Sequence, residues 1–332
     1  MIHILNLLGV NDRNRIDVVL NKGDLRKCDM HFTGNLPLME FLNPQDMQVQ
    51  KIALGGQKES KIKIGKTDII FNSICDPDSN KQTLQNVLEI VASLNVPVMN
   101  EPQKVLETHR DEIYENLKDS GFLIMPKTMK IQAKYLQDVI KLIEDKSINL
   151  PFIFREAGAH GGKSSLLVHT IDEIHELEQF AFDGRDYYMT EFIDFVSEDG
   201  LYRKYRVAMI DGKPYARHMI AASNWAIHVE SRDELMPSSA ILREEEKQFL
   251  EEGNEAFPEM YAEIYEKIGL DFFGMDFAVG KDGVPIIFEV NACMNTVSVS
   301  HSAKPFEYHN KRHEEIKHAV LEMIRNRVAN KS

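Results

Sequence analysis

The chain has 332 residues, of which 43% are hydrophobic and 27% are charged, a composition typical of a globular protein with two or three hydrophobic cores. Lysine and arginine number 39 against 52 aspartate and glutamate residues, and the net charge of -13 disfavours broad binding to nucleic acid or to an anionic membrane. We therefore expect a small or locally attracted substrate.

The first segment, residues 1–9, is apolar but short, lacks a basic leader and runs into charged residues. It predicts a buried strand rather than a signal peptide or a membrane span. Cys28, Cys75 and Cys293 are an odd number without Cys-x-x-Cys spacing, which argues against a disulfide framework and a zinc site. We expect free cysteines in a reducing cytoplasm, with Cys293 as an inert residue rather than a reactive thiol.

The next part of the chain alternates between strand and helix patterns. Thr67–Ile74 is a β-type run, Lys81–Asn95 has apolar residues at helical spacing, and Val96–Met99 is another β-type run. This order predicts a βαβ unit with a parallel sheet.

A different layer begins at Thr108. Its predicted elements are a helix over Thr108–Ser120 capped by Gly121, a strand over Lys127–Ile131, a helix over Ala133–Asp145, a strand over Pro151–Arg155, a glycine-rich loop over Ala157–Ser164, a strand over Leu166–Val168 and a helix over Thr170–Phe180. Beyond them we predict strands over Tyr187–Ile193, Lys204–Ile210 and Pro214–Ile220, a helical stretch over Arg243–Ile268, a hairpin, and a closing helix over Pro305–Val328.

The glycine-rich loop, Ala-Gly-Ala-His-Gly-Gly-Lys-Ser, nearly matches the P-loop pattern. A P-loop needs a helix directly after Lys-Ser, whereas the residues from Ser165 onwards read as a strand. A strand, a glycine loop and a strand form a lid whose backbone N–H groups cover phosphates, and a plain hairpin connection is the alternative. Arg155, at the end of the first strand, would reach the phosphate oxygens.

The predicted hairpin near the C-terminal end carries three oxygen-bearing side chains. Glu289 and Asn291 are two residues apart on one strand and so share a face, and the turn at Gly280-Lys-Asp-Gly283 brings Asp276 beside them. Magnesium prefers such ligands and completes its shell with substrate phosphates, which implies a nucleotide. The alternative is an ordinary hairpin with solvated polar residues.

Basic residues lie along the predicted strand over Lys204–Ile210. Lys204 and Arg206 alternate onto one face, where they would hold a polyphosphate or a carboxylate, and Arg217 lies on the expected partner strand. The alternative is a solvated edge. We interpret His160 as a lid-tip residue and His218 as a strand residue rather than as catalytic bases. Trp225 either lines a substrate pocket or anchors a loop.

Together these motifs resemble the ATP-grasp superfamily over nearly the whole chain and in the family's order. The resemblance is to glutathione-synthetase-like enzymes and ribosomal-protein glutamate ligases, and more closely to uncharacterised ATP-grasp proteins with similar Gly-x-His-Gly-Gly, Asp-Gly-x-Tyr-Arg-Lys-Tyr-Arg and Phe-Gly-x-Asp segments. It implies an α/β protein, α+β in its ATP-binding part, with a Rossmann-like pre-grasp domain at 1–100, a small subdomain with the lid at 101–190 and a large subdomain with the metal site at 191–332.

The resemblance also implies a reaction. ATP would phosphorylate a carboxylate, and an amine would attack the acylphosphate to form an amide or peptide bond on an amino acid or peptide, with ADP and phosphate released. The alternatives are a small-molecule or carboxylate kinase and a non-catalytic nucleotide-binding sensor. No nucleic-acid or membrane partner is expected, and a homodimer is an expectation from the family alone.

Three groups of site residues follow from the resemblance. Magnesium would be held by Asp276, Glu289 and Asn291, and catalysis would use Arg206, Arg217 and Glu289. ATP would be held by Arg110, Arg155, Gly158, His160, Gly161, Gly162, Lys163, Ser164, Glu191, Phe192, Ile193 and Lys204.

Two departures from the family pattern leave questions open. Lys204 stands where an acidic residue commonly contacts the ribose, so that role falls to either Asp194 or Asp199. After Asn291 the usual Pro-Gly segment is replaced by residues 292–296, Ala-Cys-Met-Asn-Thr, at the border of the substrate site. The substrate therefore stays unassigned.

Overall fold

The structure is a computed structural model that describes residues 1–20, 28–36, 38–42, 45–55, 63–159, 165–296 and 304–330. The strands are β1 (Ile2–Gly9), β2 (Asp17–Leu20), β3 (Cys28–His31), β4 (Met47–Leu54), β5 (Ile69–Asn72), β6 (Val98–Met99), β7 (Thr128–Gln132), β8 (Phe152–Glu156), β9 (Ser165–Val168), β10 (Asp186–Glu191), β11 (Tyr202–Ile210), β12 (Lys213–Ala222), β13 (Phe272–Val279) and β14 (Pro285–Asn291). The α-helices are α1 (Leu38–Leu42), α2 (Lys81–Leu94), α3 (Pro102–Leu106), α4 (Arg110–Leu117), α5 (Leu136–Glu144), α6 (Arg232–Leu235), α7 (Ala240–Glu252), α8 (Pro258–Ile268) and α9 (His309–Ala329).

These strands form three four-stranded sheets and one small hairpin. The first sheet has the order β4-β1-β5-β6 and is parallel, as the βαβ pattern predicts. The second has the order β7-β10-β8-β9 and the third the order β12-β11-β13-β14, and both are antiparallel. The hairpin of β2 and β3, the strand β4 and the short helix α1 were not predicted from the sequence.

The first and third sheets share one hydrophobic core, whereas the second sheet has its own. α9 packs against β11, β12 and β5 and so contributes to the shared core. Asn100 joins the same two sheets, because its side-chain amide donates to the carbonyl of Phe272 at 2.7 Å and accepts from the Phe272 N–H at 2.9 Å. The second sheet therefore faces a larger unit built from the other two.

Two of the predicted helical segments differ from the helices of the structure. The stretch from Arg243 to Ile268 is not one helix but two, α7 and α8, separated by residues 253–257. Pro258 opens α8, and proline cannot donate the hydrogen bond that a continuous helix would need there. The first predicted helix of the second layer also stops short, since α4 ends at Leu117 with Lys118 as its C-cap, and the C-cap prediction for Gly121 was wrong.

A third predicted helix, Thr170–Phe180, is a 3₁₀ helix over Ile171–Gln179. Only Leu177 is buried in this segment, so few apolar contacts are present to stabilise an α-helix. No helix in the described ranges is both long enough and apolar enough to cross a lipid bilayer.

Candidate active site

The predicted hairpin exists as β13 and β14, and it brings the three oxygen-bearing residues together. Asp276 lies directly opposite Glu289 in the register, and a bulge follows Asp276. Asn291 is on the same strand as Glu289 and donates from Nδ2 to its Oε1 at 2.6 Å. The turn forms at the predicted place, where the Gly283 N–H donates to the Gly280 carbonyl at 2.9 Å and Gly283 has a φ of 81°.

Asp276 is almost fully buried and carries its negative charge inside the protein. Arg206, opposite it on β11, donates to both carboxylate oxygens at 2.6 and 2.7 Å, and Lys204 Nζ lies 3.3 Å from Oδ2. Burial alone would raise the pKa of Asp276, but the charges of Arg206 and Lys204 and their hydrogen bonds lower it to about 2. The carboxylate therefore stays ionised at neutral pH.

Glu289 is held by a second cation. Arg110, the first residue of α4, donates to Glu289 Oε1 and to the Phe288 carbonyl. Burial raises the pKa of Glu289, and the neighbouring charges of Arg110 and Arg155 outweigh that effect and lower it. Arg110 in turn acts on Arg155: its positive charge, together with burial, lowers the Arg155 pKa to about 10.

The three hairpin side chains fit a magnesium ion by their chemistry. Asp276 and Glu289 supply ionised carboxylates, and Asn291 Oδ1 is a buried oxygen without a hydrogen-bond partner among the described residues. An orphaned buried acceptor beside two carboxylates is what a hard cation would satisfy. No group of three or more His, Cys, Asp or Glu residues suited to a metal was found in the part of the chain that the structure describes, and the hairpin set differs from such a group because its third oxygen belongs to an amide.

A cavity of about 680 Å³ lies between the second and third sheets and reaches the hairpin side chains. Its apolar walls include Ile153 from β8 and Ile286 and Phe288 from β14. Trp225 also lines it and packs edge-on against Phe192, with ring centroids 5.7 Å apart, so the sole tryptophan is both a pocket residue and a loop anchor. Besides the two hairpin carboxylates, the charged residues of the lining are four cations and two acids: Arg110, Arg155, Lys204, Arg206, Glu191 and Glu230.

The segment expected to act as a hinge lies on this cavity. Glu191, Phe192 and Ile193 all line it. The Glu191 N–H already donates to the Lys127 carbonyl and the Phe192 N–H to the Pro151 carbonyl, both at 2.8 Å. These two N–H groups are therefore engaged within the protein, and the role expected for Ile193 stays a prediction.

Neither of the two acids expected to contact the ribose lines the cavity. Asp199 is bound by Arg203 at 2.8 and 3.0 Å, and Asp194 Oδ1 accepts from the Val196 N–H at 3.2 Å. Glu230, on the segment after β12, does line the cavity. The sequence offered no pattern that singled out Glu230, because it becomes a neighbour of the site only when this segment folds over the third sheet.

The glycine-rich loop begins where β8 ends. Gly158 has a φ of +71°, and a Cβ atom built there would lie 2.8 Å from Ser79 Oγ, so both conformation and space favour glycine. Arg155 donates to the carbonyl of Ala159 and lines the cavity. The loop is followed by the strand β9, which starts at Ser165, and not by the helix that a P-loop requires. The predicted lid contacts of His160, Gly161, Gly162, Lys163 and Ser164 lie outside the described residues.

Arg217 and His218 lie behind the cavity rather than on its described lining. The Arg217 Nε donates to the Thr296 carbonyl at 2.8 Å, and burial together with Arg206 and Arg232 lowers the pKa of Arg217 to about 9. Burial and the same surrounding arginines hold the pKa of His218 well below its usual value, so its ring is neutral. The catalytic role expected for Arg217 stays a prediction.

A second, smaller cavity adjoins the first and was not anticipated from the sequence. It is about 40 Å³ in volume and lies between residues 75–78, which follow β5, and the end of β14. Arg110, Arg155, Glu289, Asn291 and Cys293 line both cavities. The predicted parallel sheet was one general signal for such a site. Ligands of parallel sheets bind at the carboxyl ends of the strands, and residues 75–78 follow the strand β5.

Asp78 is one of the charged residues that line the smaller cavity. It accepts hydrogen bonds from His109 Nδ1 at 2.8 Å, from Lys130 Nζ at 2.7 Å and from the Tyr188 hydroxyl at 2.9 Å. Burial raises the pKa of Asp78, but the hydrogen bonds and charges of His109 and Lys130 lower it well below its usual range. Asp78 thus joins the first sheet to the second, which contributes Lys130 and Tyr188.

The cysteine prediction was wrong for two of the three residues. Cys75 and Cys293 form a disulfide with their Cα atoms 4.9 Å apart, and Cys28 is a free, exposed thiol. The two residues are 218 positions apart, so no spacing motif announces the pair. The expectation of a reducing compartment was based on three unpaired cysteines, and the disulfide removes that argument.

No protein-family model matches this sequence, and no curated protein matches it. Solved structures do match. A VanG D-Ala:D-Ser ligase from Enterococcus faecalis is 14% identical with a TM-score of 0.56, and the match covers 97% of this chain and 99% of that chain. A D-alanine–D-alanine ligase from Bacillus anthracis, complexed with ATP, is 13% identical with a TM-score of 0.54, over 99% and 98% of the two chains.

A third match carries the family term itself. A RimK domain ATP-grasp protein from Sphaerobacter thermophilus is 12% identical with a TM-score of 0.51, over 98% of this chain and 99% of that chain. The chain has the ATP-grasp fold. The fold predicted from the sequence motifs is therefore confirmed, and in this ATP-grasp structure the large cavity lies between the two antiparallel sheets. Identities this low show the fold and leave the substrate unassigned.

Proposed function

We propose that this protein is an ATP-dependent carboxylate–amine ligase that forms an amide or peptide bond through an acylphosphate. The observation that supports this most directly is the large cavity between two antiparallel sheets, which ends at one buried and one half-buried carboxylate with four cations beside them. The similar structures include a ligase complexed with ATP. The domain limits of 1–100, 101–190 and 191–332 are part of the same proposal.

The nucleotide would lie in the large cavity with its base at the apolar end. Ile153 from one sheet and Phe288 from the other offer the two apolar surfaces that a flat base needs, and Trp225 closes one side. The triphosphate would extend towards the charged end, where Arg110, Arg155, Lys204 and Arg206 outnumber the two carboxylates. In a chain with a net charge of -13, a cluster of four cations at one end of a cavity would attract an anion.

Asp276, Glu289 and Asn291 would hold magnesium. When bound, the ion would neutralise charge on the phosphates during phosphoryl transfer. Arg206 and Lys204 already share the carboxylate of Asp276, and this contact fixes both cations at the charged end of the cavity. Positioned cations of this kind stabilise the negative charge that develops during phosphoryl and acyl transfer.

The carboxylate substrate would lie in the smaller cavity. Arg110 and Arg155 line both cavities, so a carboxylate held from one side and a phosphate held from the other would meet at these two guanidinium groups. Asp76, on the opposite wall, would bind an ammonium group. The smaller cavity thus offers both signs of charge, as an amino acid or the end of a peptide requires.

The test is ADP and phosphate release from magnesium ATP, screened over amino acids, dipeptides and small carboxylic acids, singly and in pairs, with mass spectrometry of the products. A pair requirement and a dehydrated adduct would support the ligase. A stable phosphorylated product with one acceptor would instead identify a kinase. Glu289→Gln should lose turnover, whereas Glu198→Gln, an exposed carboxylate outside both cavities, should retain it.

A further inference from the structure

The disulfide connects two parts of the protein that each form a wall of the smaller cavity. Cys75 lies three residues after the end of β5 in the first sheet, and Cys293 lies two residues after Asn291, at the end of β14 in the third sheet. Both cysteines line the smaller cavity. A covalent bond between them therefore sets the separation of the two walls.

The two sulfur-bearing residues differ in their access to solvent. Cys75 is 2% exposed, and its sulfur is 3.3 Å from the carbonyl oxygen of Gly34. Cys293 is half-buried and lines the large cavity as well as the small one. A small thiol or disulfide can therefore approach Cys293 through the large cavity, which makes Cys293 the sulfur at which exchange begins.

The smaller cavity is narrow in the disulfide-bonded protein. Its volume of about 40 Å³ holds a few water molecules. Asp76 and Asp78 stand on the Cys75 wall and Glu289 and Asn291 on the Cys293 wall. Movement of these walls away from each other would widen the cavity, and the disulfide opposes that movement.

We infer that Cys75 and Cys293 are a reversible oxidation site that controls entry of the carboxylate substrate, an inference that rests on the proposed function. A low-molecular-weight disulfide oxidises the pair: its S–S bond breaks to give two small thiols, and the two protein thiols lose their protons to form the Cys75–Cys293 bond. The reverse exchange opens the walls. The oxidised protein binds the nucleotide in the large cavity but excludes the second substrate from the small one.

The first readout is the number of thiols that react with iodoacetamide after equilibration with oxidised or reduced glutathione. Cys28→Ser removes the exposed free thiol and serves as the matched background. In this variant two thiols should react after reduction and none after oxidation, with the change reversed by reduced glutathione. Two reactive thiols under both conditions would overturn the inference.

The second readout is amide hydrogen exchange in residues 74–78 and 290–296. Exchange in these segments should be slower in the oxidised protein by about tenfold, because the bond removes the local opening of the walls. When Cys75→Ser is added to Cys28→Ser, the disulfide cannot form. These segments should then exchange, under both conditions, as fast as they do in the reduced protein. Equal exchange in oxidised and reduced Cys28→Ser would overturn the inference even if the bond forms.

Measuring nucleotide binding distinguishes failure of this inference from failure of the proposed function. Magnesium ATP, followed by the fluorescence of Trp225, should bind with the same affinity in both redox states, while ADP release with an active substrate pair should fall on oxidation and return on reduction. Failure of magnesium ATP to bind in either state would contradict the proposed function and leave the thiol and exchange results to decide the redox site. Equal ADP release in both states would overturn the redox control.

Discussion

The carboxylate of Asp276 should stabilise the fold as well as hold the metal. Its pKa falls from 3.8 to about 2, since the charges of Arg206 and Lys204 outweigh the cost of burial. Each pKa unit corresponds to about 1.4 kcal/mol, so the ionised carboxylate contributes roughly 2 kcal/mol to the free energy of unfolding. Asp276→Asn keeps the size and removes the charge, and it should lower that free energy by about this amount at neutral pH.

The pH dependence of this effect has a definite sign. A carboxyl group with a lowered pKa in the folded state stabilises the protein above its unfolded pKa, and the contribution is lost as the pH falls through the folded pKa. The difference between the wild type and Asp276→Asn should therefore be full above pH 4 and shrink between pH 4 and pH 2, the window between 3.8 and about 2.

Urea unfolding is the assay, followed by the fluorescence of Trp225, the single tryptophan, which lies in the large cavity. The matched control is Asp199→Asn. The pKa of Asp199 is also lowered to about 2, by Arg203, but its side chain is 47% exposed. Solvent screens that pair, so the control should lose at most about 1 kcal/mol. Equal losses in the two variants, or a loss at Asp276 that persists at low pH, would refute the reasoning.

Three further predictions concern activity and local structure. Glu289→Ala should abolish ADP release, because it removes a carboxylate shared by both cavities, and near-normal turnover would contradict the mechanism. Gly158→Ala should lower the melting temperature more than Gly200→Ala, since both glycines have positive φ but only the first Cβ would meet another side chain; equal shifts in differential scanning calorimetry would remove the steric argument. Arg155→Ala should weaken ATP binding in titration calorimetry more than His160→Ala does, and the reverse order would assign the larger role to the lid histidine.

The parts of the site that follow local rules were predictable from the sequence. Glu289 and Asn291 share a face because side chains alternate along a strand, and the Asp-Gly turn sets the register that places Asp276 opposite Glu289. The short β-type run that begins at Ser165 also predicted a strand rather than a helix after the glycine loop. These features depend on spacing over a few residues.

The parts that the sequence did not reveal depend on contacts between distant segments. The pairing of Cys75 with Cys293, the position of Asp78 beside Lys130 and Tyr188, and the smaller cavity itself arise only when the sheets come together. The break between α7 and α8 is different, because Pro258 was a local signal and the apolar periodicity on either side of it obscured the break.

The most direct test of the proposed ligase uses a carboxylate substrate labelled with ¹⁸O in its carboxyl group. If the carboxylate is phosphorylated by ATP and then attacked by an amine, one labelled oxygen leaves with the phosphate, and mass spectrometry should find it there in a ratio of one per turnover. Unlabelled phosphate, released together with ADP and the coupled product, would contradict the acylphosphate mechanism and with it the central proposal.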